Sequence, residues 1–184
     1  MEIKISTQQV LNFLYILSWI IFIGVAIEAG AIIFNAIFTH FVNPGTATHF
    51  WKEVDLSNLY NRDSGYFLVE TTLMSIVAVM RALIFYLIVK ILHDKKLDLS
   101  EPFSKELRRL ILNVSYLSLG IGLFSFWGIH YTQWLANQSL IMPDIQHLGF
   151  GGADVWLFMS VILFVIAQIV KRGIELQEEN DLTI

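Results

Sequence analysis

Four long apolar runs dominate the chain, at residues 11–38, 67–92, about 110–136 and 153–170. A helix needs roughly 20 predominantly apolar residues to cross a hydrocarbon core of about 30 Å, so each run predicts a membrane-spanning helix. Polar residues interrupt them rarely: Glu28 and Asn35 in the first, Glu70 and Arg81 in the second. Small or polar residues recur at helical spacing along the runs. Gly24, Glu28, Ala31 and Asn35 line one face of the first, Thr71, Ser75, Ala78 and Ala82 one face of the second, and Ser115, Ser118, Gly122 and Ser125 one face of the third. Helices gain no hydrophobic drive toward one another inside lipid, so such stripes, which allow close backbone approach, predict packing seams. The first run is too long and too weakly basic at its start for a cleaved signal peptide.

The segments between the runs set the expected orientation. Nine lysines and arginines fall before the first run, in the loop 93–109 and after the last run; the loops 39–66 and 137–152 hold only Lys52 and Arg62. Basic loops stay inside, so both termini are expected in the cytoplasm, with the four helices forming an up-down bundle and a single domain over residues 1–184. In the first outer loop, Asn43-Pro44-Gly45 reads as a turn and residues 55–61 as a short helix, with Phe50, Trp51, Tyr60 and Tyr66 as interfacial anchors. On the inner side, Ser100 reads as a helix cap with Glu101 and Pro102 in the first turn. The chain then runs into span three.

Composition bears this out. Hydrophobic residues make up 55% of the chain and charged residues 15%, against about a quarter charged in soluble domains. An all-α integral membrane protein follows, and a disordered, fibrous or soluble chain is excluded. The net charge of −4 argues against direct nucleic-acid binding. The absence of cysteine removes thiolate metal sites, disulfides and CxxC redox chemistry.

Three ionisable groups lie within spans, where an unpaired charge costs several kcal/mol. Glu28, Glu70 and Arg81 are therefore the candidate intramembrane polar site, and a Glu28–Arg81 pair is the preferred neutralisation. A structural pair that orients the helices is the stronger expectation; a ligand, proton or ion site is the weaker one. Four histidines, His40, His49, His130 and His147, fall on the outer side and His93 at the inner boundary. Their spacing matches no metal motif, so neither a metal nor a cofactor is expected. Asp154 reads as a helix-start residue that complements the dipole. No catalytic motif is present and no catalytic residue is assigned; the protein is expected not to be an enzyme.

The last residues, KRGIELQEENDLTI, are polar and acidic. Their Arg172-Gly173, Glu175, Glu178, Glu179 and Asp181-Leu182-Thr183, together with the Pro-Phe-Ser of residues 102–104, resemble the motifs of the bacterial membrane proteins grouped as domain of unknown function 2975. Members of that family are often encoded beside a small helix-turn-helix regulator. The resemblance therefore implies a bacterial inner-membrane sensor or tether whose Arg172, Gly173, Glu175, Glu178, Glu179 and Asp181 bind a cytoplasmic transcription regulator. The alternative is a small homo-oligomeric transporter or ligand-binding module using Glu28, Glu70 and Arg81.

Overall fold

The protein is described by a computed structural model covering residues 7–52, 54–94 and 103–181. Five α-helices and one 3-10 turn account for nearly all of it: α1 (Thr7–Phe41), the turn Pro44–His49, α2 (Ser57–Arg62), α3 (Ser64–His93), α4 (Lys105–Asn137) and α5 (Ala153–Asp181). Four of these helices are long and apolar enough to cross a membrane. They have 35, 30, 33 and 29 residues, about 43 to 53 Å at 1.5 Å per residue, so each outruns the hydrocarbon core.

The helix ends follow local chemistry. Asp63 caps α3 by accepting from the Gly65 amide, and Asn43 accepts from the Gly45 amide ahead of the 3-10 turn. The inner helix start lies later than expected: Ser104, not Ser100, caps α4, its Oγ accepting from the Leu107 amide at 3.1 Å. Ser100, Glu101 and Pro102 lie outside the described residues, as do Lys4, Lys95 and Lys96. The apolar pattern ends at Val170, yet α5 continues to Asp181. Lys171 and Arg172 pair with Glu175 one turn ahead, the spacing at which opposite charges support a helix.

Surface and interior are inverted relative to a water-soluble protein. On α4, Ser115, Ser118, Gly122, Ser125, Gly128 and Thr132 are buried, while Tyr116, Leu123, Phe126 and Trp127 point outward and exposed. The seam is functional as packing. The Ser115 hydroxyl donates to the Ser160 carbonyl of α5 at 2.8 Å, and a Cβ on Gly122 would stand 3.0 Å from the backbone nitrogen of Leu157. Gly24 of α1 does not take part: nothing lies within 4 Å of where its Cβ would be.

The long helices pack in chain order, α1 on α3, α3 on α4 and α4 on α5, and among the described residues no contact between α5 and α1 closes the row. Two loops fill the space that an open row leaves. Phe50, Leu56 and Leu59 from the first, and Leu148 and Phe150 from the second, are buried in one cluster with Phe67 and Val77 of α3 and Ile121 and Leu135 of α4. Phe150 seats over Gly128, whose absent side chain makes the room: an added Cβ would fall 2.6 Å from the ring. Both loops thus reach back along the helices. At the opposite end, the Tyr15 hydroxyl meets His93 Nδ1 at 2.9 Å.

Candidate functional site

The three ionisable groups within the spans prove to have three different neighbourhoods. Glu70 is fully buried and faces α4, where the Thr132 hydroxyl donates to its Oε1 at 2.7 Å. The same hydroxyl stands 2.9 Å from the Gly128 carbonyl, so one proton faces two oxygens. The second carboxyl oxygen of Glu70 is buried without a partner.

Arg81 faces the other way. Its Nη2 donates to the Gly149 carbonyl at 2.6 Å, and its guanidinium lies over the Trp156 ring, 5.9 Å from the centroid. Gly149 takes a φ of +80°, a conformation in which glycine avoids the steric penalty of a Cβ, and this turn aims its carbonyl at the guanidinium. The GFGG run at 149–152 is thus the seat of the arginine, a pairing that spacing alone could not reveal.

Glu28 pairs with Lys52 of the first loop at 3.1 Å. The expected Glu28–Arg81 pair is therefore not the neutralisation found, because the loop brings a closer cation down to Glu28. The two groups still face a common cavity of about 20 Å³, closed by His147 and Gly149. That volume is on the order of one water molecule and too small for an organic substrate. Since Lys52 and Glu28 are 61% and 36% exposed, their pair should contribute about 0–1 kcal/mol. Glu28→Gln is accordingly expected to leave the thermal unfolding midpoint in detergent within about 3 °C of the parent. A fall of ten degrees would show that Glu28 holds more than Lys52.

The histidines are spread out. His40 packs against Phe41 and Tyr60, His130 against Phe126, and among the described residues no three His, Asp or Glu side chains converge as metal ligands would. Asp154 sits exposed in the first turn of α5.

At the end away from the two loops, distant segments meet. The Phe103 ring lies on Gly173 so closely that a Cβ there would be 2.5 Å from the ring. Lys105 reaches Glu178 at 2.9 Å, and Arg172 reaches Glu175 at 3.1 Å and Glu179 at 3.9 Å. A groove of about 550 Å³ runs between them, lined by Phe103, Lys105, Glu106, Ile174, Gln177 and Glu178. Asp181 ends the helix, and Leu182 and Thr183 lie outside the described residues.

Residues 51–184 match the family described as protein of unknown function DUF2975. The chain belongs to that family. The DUF2975 match takes in Glu70, Arg81, the second loop and both segments of the Phe103–Gly173 joint, while α1 with Glu28 precedes it. No curated protein and no solved structure matches the chain. DUF2975 carries no stated activity, so the reading of function rests on the geometry.

Proposed function

We propose that this DUF2975 member is a non-catalytic, multi-pass protein of the bacterial inner membrane, its helices running up and down with both termini in the cytoplasm, and that it docks a cytoplasmic helix-turn-helix regulator. The observation that carries the reading is the Phe103–Gly173 joint. It unites two segments 70 residues apart in sequence into one surface, beside a groove of protein-binding size. The Lys and Arg distribution supports placing that end inside. The acids Glu175, Glu178 and Glu179 on α5 complement a DNA-binding domain, whose own surface is basic.

Co-purification of the regulator encoded beside the gene tests this. Recovery should fall at least about tenfold for Glu175→Lys/Glu178→Lys/Glu179→Lys, since like charges across an interface cost several kcal/mol. Equal recovery with the parent chain overturns the reading. A small oligomeric transporter or ligand module is favoured only by Glu70, with its unpartnered buried oxygen. The tightness of the cavity between Glu28 and Arg81 leaves no route for a substrate there.

A further inference from the structure

The two loops enclose a second, larger cavity of about 340 Å³, within the range of roughly 300 to 1,000 Å³ typical of small-ligand sites. Its polar lining comes from Lys52, Asp55 and Asn58 of the first loop and Asp144 and His147 of the second. These loops are anchored. Phe50, Leu56 and Leu59 on one side, Leu148 and Phe150 on the other, are buried in the protein core, and each loop is tied by its own backbone bonds, Leu56 to Ala47 at 2.8 Å and Phe150 to Ile145 at 3.1 Å. The walls of the cavity therefore exist before a ligand arrives, which spares binding the cost of ordering them.

The charge of the cavity has a definite sign. The Lys52 ammonium is engaged by Glu28, which leaves Asp55 and Asp144 as the uncompensated charges of the lining. Hydrogen bonds from Ser57 hold the Asp55 carboxyl below its ordinary range, so it remains anionic near neutral pH. Asp144 is oriented by the Gln146 amide at 2.7 Å. Beside these carboxylates the wall is apolar, formed by Val54, Met142, Pro143 and Ile141, the last 75% exposed. Anionic groups next to an uncovered apolar wall suit a ligand with a positive head and an apolar body.

We propose that this loop cavity is a binding site for a small organic cation, an amine whose ammonium sits between Asp55 and Asp144 and whose apolar part covers Ile141 and Pro143. His147 also borders the small cavity of Glu28 and Arg81. Occupancy of the larger site therefore presses on the intramembrane charges through one shared side chain. The site stands apart from the docking surface at the other end of the molecule, and binding is read without any protein partner.

Calorimetric titration of the full chain in lipid nanodiscs tests it, with phenethylamine, choline and spermidine as cations and phenylacetate as the anionic counterpart. At least one cation should bind saturably and phenylacetate should not. Asp55→Asn and Asp144→Asn, made singly so that each neighbour keeps one carboxylate, should each weaken the cation about tenfold, the loss expected for one charge-assisted contact. Unfolding midpoints matching the parent establish that the variants are folded; should either fail to fold, raising the salt to 1 M must weaken binding by the same order, since the attraction is electrostatic. Saturable binding of none of the three cations, equal binding of phenylacetate, or affinities unmoved by both variants and by salt overturn the proposal.

Discussion

Gly122→Val is expected to lower the thermal unfolding midpoint in detergent by about 6–12 °C, the equivalent of roughly 3 kcal/mol in a chain of this size. The Cβ alone would meet the Leu157 side chain at 2.6 Å and the Leu157 backbone nitrogen at 3.0 Å. A leucine tip can rotate away, but a helix backbone cannot, so α4 and α5 must separate. With the helices goes the bond from the Ser115 hydroxyl to the Ser160 carbonyl. Gly24→Val is the matched control: it makes the same change in helix propensity at a site with nothing within 4 Å, and its midpoint should stay within about 2 °C of the parent. Equal midpoints for the two variants would mean that the α4–α5 seam is not the close contact the coordinates describe.

The second large effect concerns the buried carboxyl. Thr132→Val preserves side-chain shape but withdraws the hydroxyl from Glu70, leaving both carboxyl oxygens buried without a partner, at a cost of about 1–3 kcal/mol. Thr132→Val combined with Glu70→Met should recover most of that loss, because replacing both members of a buried polar pair by apolar groups is nearly neutral. Glu70→Gln should be as stable as the parent. Its amide can donate to the Thr132 hydroxyl while that hydroxyl donates to Gly128, which gives every proton one acceptor. Midpoints of the three variants check the set. Additive losses in Thr132→Val/Glu70→Met, or an unchanged Thr132→Val, would show that the pair carries no energy.

The spans were legible because length and apolarity decide them locally, and their edges moved only where polar residues continue a helix. Lys171, Arg172 and Glu175 end the hydropathy signal at Val170, but their charges, three and four residues apart, carry α5 onward to Asp181. The stripe of Ser115, Ser118, Gly122 and Ser125 was readable as a seam for the same reason: spacing 3.6 residues apart fixes a face. The partners of the charges were not readable. Lys52 reaches Glu28 and Gly149 reaches Arg81 because two loops fold back along the helices, and no periodicity encodes where a loop returns. The open row of helices belongs with this, since the loops rather than a fourth helix wall supply the missing side of the core. Asp55 and Asp144 looked like ordinary loop acids until those loops met.

The seat of Arg81 also has a consequence in time. Its carbonyl partner stands 68 residues further along the chain, and Trp156 follows later still. While the ribosome is making the protein, α3 must enter the bilayer with a guanidinium that has nothing of its own to bind, at a cost of about 2.5–3.5 kcal/mol for an arginine at mid-span. Only after α4 has been threaded and residues 138–156 have emerged can the arginine be satisfied. The second and fourth spans are therefore one unit of biogenesis, and a chain stopped before Gly149 leaves α3 as its weakest-held segment.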